Sequence, residues 1–216
     1  MSSLSEALRE RTAQAHQRAE EATFIADLMQ GSACPGAFAA LARQHLAIYE
    51  TMESIIELHY RGDPLVAPFA DHRLSRTAAL HADLAVLSAA GHVAAVCPAT
   101  ASYAEHLRAN HTAEMMLAHH YVRYLGDLSG GQIVARMVER HYGIGSEALS
   151  FYRFPAIEKV KPYKDEYRRR LDGLTVTDQQ RERILDEAEH AFELNRLVFV
   201  DLAGSRRPVH DLLGIA

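Results

Sequence analysis

His120-Tyr-Val-Arg-Tyr-Leu-Gly-Asp-Leu-Ser-Gly-Gly-Gln-Ile-Val-Ala-Arg-Met137 reads as helix at both ends, yet Gly126, Gly130 and Gly131 sit inside it. A glycine inside a helix costs about 1 kcal/mol relative to alanine. Three of them in one short stretch need a compensating reason. Either the helix bends there, or something must come close to its backbone. Asp127 is the acid among them. The segment therefore predicts a flat ligand pressed against a glycine-lined helix, with a carboxyl group at hand.

Outward from this stretch the chain reads as helix nearly everywhere. Alternating strand patterns are nearly absent, and Ala, Leu, Glu and Arg dominate. Ser3 and Glu6 form a capping box that opens a first helix predicted to run to Gln30, before a turn at Gly31 to Gly36. A second helix is predicted over Ala37 to Tyr60 and a third over Leu74 to Ala90, separated by the breakers Gly62, Pro64 and Pro68. Gly91 to Pro98 is another break. Ser102 with Glu105 predicts the cap of a helix reaching Arg108. The glycine-bearing helix should span Thr112 to Tyr142 and stop at Gly143-Ile-Gly145. An irregular stretch with Phe151, Tyr152, Phe154 and Pro155 leads to a short helix over Tyr163 to Leu171. Thr177 with Gln180 caps a last helix ending near Leu202, and the tail from Gly204 is expected to be loose. The fold class is all-α, a multi-helix arrangement expected to be a single domain over residues 1–216.

Composition narrows the function classes. The chain has 216 residues, a net charge of −5 and a pI near 6.2, which argues against wholesale nucleic-acid binding. Cys34 and Cys97 are the only cysteines. They form no CxxC pair, so neither a cysteine zinc site nor a disulfide framework is indicated, and free thiols suit a reducing cytoplasm. The charged N-terminal stretch lacks the apolar core of a signal peptide. The most apolar run, Leu84 to Ala99, is broken by Gly91, His92 and Pro98 and is too short to span a bilayer. No membrane association and a monomeric state are the expectations.

Two further features carry chemistry. Leu8, Thr12 and His16 follow at i, i+4 and i+8, which predicts that His16 shares the inward face of the first helix. Glu20, one turn on, can accept from one imidazole nitrogen and leave the other for a metal. Taken alone, His16 reads as a satisfied, half-buried histidine, since isolated histidines usually are structural. The second feature is a basic strip: Lys159, Lys161, Lys164, Arg168, Arg169 and Arg170, with only Asp165 and Glu166 interspersed. Lys164 and Arg168 share a helix face and suit carboxylates or phosphates, although such a strip is also an ordinary solvated face. Arg9 lies two turns before His16. The glycines have a bland reading as well. Gly126-x-x-x-Gly130 can merely let another helix pack closely, and Arg123 with Asp127 can be a plain i, i+4 ion pair. The combination of histidine, glycine helix and basic strip favours a ligand site.

With these residues assembled, the chain resembles the heme oxygenase family from about Leu4 to Leu202. Tyr124-Leu-Gly-Asp-Leu-Ser-Gly-Gly-Gln132 is similar to that family's distal-helix signature. Thr12-Ala-Gln-Ala-His16 is similar to the segment bearing the proximal heme ligand. Phe154-Pro155 and Tyr163-Lys-Asp-Glu-Tyr-Arg-Arg-Arg170 match the propionate-binding region, and Ala191-Phe-Glu-Leu-Asn195 matches the last helix. The details resemble bacterial members used in iron acquisition.

The resemblance implies heme between the first helix and a kinked distal helix. It implies His16 as axial iron ligand, oriented by Glu20, with Gly126 and Gly130 lining the distal face and Gly131 easing the bend. It implies Asp127 as anchor of a water network beside dioxygen, completed by Tyr49, Arg123 and Asn195. Lys164, Arg168 and Tyr121 match propionate contacts, and Phe192 matches a position at the heme edge. Arg9 departs from the family's common lysine, keeping the charge with a different hydrogen-bonding shape. The implied activity is oxidative cleavage of heme, both substrate and cofactor, at the alpha meso carbon. It uses O2 and electrons from a ferredoxin, its reductase or a flavodoxin-like protein, and yields biliverdin, ferrous iron and carbon monoxide. The alternatives are a heme-storage protein on the same fold, which would not need Asp127, and another helical enzyme, of a thiamin-degrading or di-iron type. A di-iron site wants paired Glu-x-x-His motifs, whereas Glu187-x-x-His190 stands alone and reads as a solvated face.

Overall fold

The computed structural model describes residues 2–34 and 36–204, and among them there are helices and turns but no strand. The helices are α1 (Leu4–Glu20), α2 (Thr23–Gln30), α3 (Ala37–Ile55), α4 (Thr77–Ala89), α5 (Pro98–Asn110), α6 (Ala113–Tyr142), α7 (Val160–Asp172) and α8 (Asp178–Gly204). The C-terminal tail expected to be loose lies outside the described residues. α8 packs along α6 and α1 and also meets α5 and α2, while α3 packs on α4 and α5. Their buried side chains form one continuous apolar core.

Local chemistry explains most boundaries. Ser3 accepts from the Glu6 N–H at 3.3 Å and opens α1. Thr177 and Gln180 close the expected capping box at the start of α8, with 3.1 and 3.2 Å bonds in the two directions. Thr112 caps α6, which remains helical through all three glycines and stops at Gly143, whose φ of 64° is left-handed.

Other boundaries differ from the sequence reading. The helix predicted to reach Gln30 breaks after Glu20, with Ala22 extended at φ −60°, ψ 130°. The inward stripe of α1 is Leu4, Leu8, Thr12, Ala15 and Ala19, while α2 buries Phe24 and Leu28. On an unbroken helix Phe24 would lie about 140° around from Ala19. The break lets both stripes face the core, where Phe24 stacks with Phe199 of α8 at 6.2 Å. α3 ends at Ile55 and continues to Tyr60 as a turn of π-helix. α5 starts at Pro98, four residues before the predicted Ser102 cap. Its first N–H groups are met from afar, since Ala99 N–H donates to Asp201 of α8 at 2.7 Å. α7 begins at Val160 because Pro162 in a first turn has no N–H to waste.

The irregular stretch after α6 is held by two buried charged groups. Asp83 accepts from the N–H groups of Ser150 and Phe151 at 2.8 Å each. Arg76 donates to the carbonyls of Phe151 and Arg153 and lies 4.0 Å over the Phe154 ring. α7 is anchored to α6 by a 2.8 Å bond between His120 Nδ1 and the Tyr167 hydroxyl.

Candidate active site

Four helices deliver the chemistry-bearing side chains to α6. α3 supplies Tyr49, α8 supplies Phe192 and Asn195, α1 supplies Arg9 and His16, and α7 supplies Lys164 and Arg168. Tyr49 is fully buried, and its hydroxyl donates to Asp127 Oδ2 through a short hydrogen bond. The Arg123 guanidinium lies 4.9 Å over the Tyr49 ring. Rather than closing on Asp127 as a helix-surface ion pair, Arg123 spends Nη1 on Asn195 Oδ1 at 2.6 Å. Its Nε is buried without a hydrogen-bond acceptor among the described residues.

Burial dominates the electrostatics here. It pushes the Asp127 carboxyl up to about 6, although the positive charges of Arg123 and Arg76 and the Tyr49 hydrogen bond favour its ionised form. Burial and the charge of Asp127 push the Tyr49 hydroxyl well up, so it remains a donor. Burial disfavours the Arg123 charge, but Tyr49, Tyr103 and Asp127 outweigh that and hold it positive. The result is a carboxyl group that gains and loses a proton near neutrality, between a fixed donor and a fixed cation.

The residues behind this centre were not singled out from sequence. Glu53 accepts from the Tyr124 hydroxyl at 2.8 Å and from the Arg76 N–H at 2.6 Å. The Tyr124 ring meets Tyr49 edge-on at 5.4 Å. His45 is buried beside Tyr49, and burial together with the nearby Arg123 charge lowers its pKa well below the usual value. His45, Tyr49 and Glu53 follow one another at i+4 along α3. That i+4 spacing of polar side chains along one face of the helix was the available signal.

The glycines divide into two kinds. A Cβ added at Gly126 or Gly130 would meet no heavy atom of the described residues within 4 Å, so this face of α6 is not a contact with another of the helices described. The helix-packing reading of Gly126-x-x-x-Gly130 is thereby removed. Gly131 is different, since a Cβ there would come within 2.8 Å of the Tyr152 ring. Its neighbour is the protein itself.

His16 is not inward in the sense expected. Leu8 and Thr12 are buried, but the His16 side chain is 51% exposed. Eight residues of helix rotate a side chain by about 80°, and Ala15 and Ala19 take over the buried stripe. The imidazole instead stands edge-on to Phe192 at 5.3 Å, with Nδ1 3.4 Å from Glu20 Oε2. That leaves Nε2 as the nitrogen Glu20 does not hold.

Cationic groups lie around the same helices. Tyr121 of α6 hydrogen-bonds Thr12 of α1 and feels the charges of Arg168 and Arg9; burial raises its pKa against those charges. Lys164 Nζ donates to Ser129 Oγ at 3.1 Å, on the turn between Gly126 and Gly130. Further along α7 the basic strip is partly self-neutralised: Lys161 and Arg168 pair with Asp165, and Arg169 and Arg170 pair with Glu166. An apolar-walled face with bare glycines, an imidazole and a cationic edge suits a flat disc bearing carboxylates.

The family model for heme oxygenase matches residues 2–201. The chain belongs to the heme oxygenase family. It is 36% identical over 206 residues to heme oxygenase 1 of Pongo abelii, covering 92% of this chain and 71% of that protein. It is 32% identical over 200 residues to a heme oxygenase of Guillardia theta, covering 90% and 84%. Among solved structures, heme oxygenase-1 of the cyanobacterium Synechocystis, in complex with heme, superposes with a TM-score of 0.87 at 29% identity, covering 94% of each chain. Heme oxygenase of Leptospira interrogans gives 0.84 at 34% identity, covering 92% of this chain and 98% of that one. The expected all-α fold and the heme-degrading oxidoreductase activity stand with the family. No helix among the described residues is long and apolar enough to cross a membrane.

Proposed function

We propose that this heme oxygenase takes its substrate between α1 and α6, with His16 as the axial iron ligand and Gly126 and Gly130 against the opposite face. The observation that carries this reading is the open glycine face beside Asp127. Two glycines that relieve no contact within the protein make sense only if a ligand presses there. When bound, heme supplies the iron that activates O2 and the meso carbon that is oxidised.

Every other part belongs to the chain. Glu20, with Oε2 3.4 Å from His16 Nδ1, is placed to take up a hydrogen bond from it, fix the tautomer and keep Nε2 free as ligand. Phe192 limits how far the imidazole turns. Arg9, Lys164, Arg168 and Tyr121 receive the propionates and so fix the in-plane orientation, which selects the alpha meso carbon. Asp127 holds a proton at Oδ1 or releases it, since its carboxyl titrates near 6 while Oδ2 stays on the Tyr49 hydroxyl. Arg123, clamped by Asn195, keeps Tyr49 and Asp127 in register. Gly131 contributes by admitting Tyr152 behind the helix rather than by touching heme. The products are biliverdin, ferrous iron and carbon monoxide. Electrons come from an external donor, a ferredoxin or flavodoxin-like protein, docking on the basic strip of α7. The chain works as a cytoplasmic monomer that recovers iron from heme.

The test is aerobic turnover of the hemin-loaded chain with a supplied reductant, with the pigment identified. Alpha biliverdin from the wild type and little pigment from Asp127→Ala are expected. A stable hemin complex that forms no bile pigment would overturn the reading.

A further inference from the structure

The Glu187-x-x-His190 motif is only half on the solvated face the sequence suggested: His190 is exposed, but Glu187 turns in between helices. Glu187 Oε1 accepts from two imidazoles at once, His106 Nε2 of α5 and His119 Nε2 of α6, both at 2.8 Å. His190 closes a triangle. Its ring lies 4.7 Å from that of His106 at 76°, and its Nδ1 is 3.8 Å from Glu187 Oε2. We propose that His106, Glu187 and His190 form a binding site for a zinc-class divalent transition-metal ion, joining α5 to α8 outside the residues assigned to heme.

The donor set fits that ion. Two imidazoles and one carboxylate, with a remaining position open to water, are borderline ligands in the number a four-coordinate ion takes from a protein. One donor atom from each of the three side chains lies within 4.8 Å of the others. A tetrahedral ion about 2.1 Å from each donor spaces them about 3.4 Å apart. The His190 to Glu187 distance is too long for a hydrogen bond and close to the spacing of two ligands on one ion. His106 and Glu187 are half-buried and fixed, whereas the His190 side chain is 45% exposed and free to turn inward.

The surroundings are those of an oriented ligand. His119 is fully buried and uses both nitrogens, one on Glu187 and the other on the Tyr103 hydroxyl at 2.8 Å. It therefore aims the carboxylate rather than competing for the ion, the role a buried partner commonly plays behind a metal ligand. Arg183, one turn before Glu187, is already paired with Glu114 at 2.6 Å. On binding, His106 takes the tautomer with its proton on Nδ1 and gives Nε2 to the ion in place of its hydrogen bond to Glu187, and no redox step is involved.

Zinc chloride titrated calorimetrically into the full chain tests this, with His190→Gln, His106→Gln, His111→Gln and His16→Gln compared and far-UV circular dichroism recorded for each. His111 is a fair control because it too is paired with a second imidazole, stacking on His59 at 4.8 Å, far from Glu187 in its contacts. The expected result is one zinc per chain with micromolar affinity. His190→Gln and His106→Gln should each weaken it at least tenfold, and His111→Gln and His16→Gln should leave it unchanged. Since His190 is exposed, its variant keeps the fold. No binding by the wild type below 100 μM, on the order of ordinary weak surface association, overturns the proposal. So does undiminished binding by a folded His190→Gln, or loss of binding in His111→Gln or His16→Gln.

Discussion

Replacing Asp127 by Asn should make the heme-free protein more stable at neutral pH while abolishing most of its turnover. The magnitude follows from burial. The carboxyl is raised from 3.8 to about 6 in the folded chain, which corresponds to about 3 kcal/mol of disfavoured ionisation above pH 6. A raised folded value means that the native state binds more protons than the unfolded chain between those limits. The wild type therefore has its full stability below about pH 4, loses it progressively between pH 4 and 6, and keeps the deficit above. Asn cannot ionise, yet still offers Tyr49 an acceptor oxygen. Allowing about 1 kcal/mol for imperfect satisfaction of the amide, the variant should gain about 2 kcal/mol at pH 7.5. For a chain of this size that is about 4–8 °C in Tm. The assay is thermal or urea unfolding of heme-free wild type and variant at pH 3.8, 5 and 7.5. The stability difference should grow with pH across that range and then level off. A variant that is less stable at pH 7.5, or a difference independent of pH, would refute the account of Asp127 as a destabilised buried carboxylate.

Three further outcomes follow from the geometry. Gly126→Ala and Gly130→Ala should each stabilise the heme-free chain by up to about 1 kcal/mol, the helix-propensity gain, because the new methyl meets nothing; hemin titration should show weakened binding, and unchanged affinity in both would remove these glycines from the heme face. Gly131→Ala should instead destabilise by about 1–3 kcal/mol through its collision with Tyr152, read by urea unfolding, and wild-type stability there would mean that Tyr152 moves freely. His16→Ala should unfold within about 0.5 kcal/mol of wild type, since the side chain is largely exposed, but its hemin complex should lack the histidine-ligated absorption spectrum; a retained spectrum would assign the iron to another residue.

Much of the fold was legible because its signals are local. Ser3 with Glu6, Thr177 with Gln180, and Gly143 act within one turn, so sequence alone located those ends. The missed boundaries have distant causes. The break after Glu20 exists to seat Phe24 on Phe199, and the start of α5 is met by Asp201 from the far end of the chain. The site shows the same division. Asp127 and the glycines could be read because a helix tolerates them poorly. The exposure of His16 was misjudged because i+8 was treated as one face, although the helix drifts. The roles of Glu53, Tyr124 and His45 depend on which helices meet, and no short window of sequence holds that information.

The distal stretch of α6 breaks a local rule at several neighbouring positions. Gly126 and Gly130 give up helix propensity without relieving any contact. Asp127 is half-buried, at a desolvation cost that the nearby cations only partly offset. Arg123 keeps a buried Nε without an acceptor. By contrast, three other unusual groups among the described residues are satisfied by the protein itself. Gly131 makes room for Tyr152, Arg76 is saturated by backbone carbonyls, and Asp83 caps two N–H groups. Costs that the fold repays mark architecture, and costs it leaves standing mark where a ligand completes the structure. Apart from the buried Thr77 hydroxyl at the start of α4, which also has no partner among the described residues, these unrepaid costs gather on the stretch of α6 from Arg123 to Gly130. The flat substrate of a heme oxygenase would cover the glycine face and, by excluding water, strengthen every interaction that Asp127 and Arg123 make there.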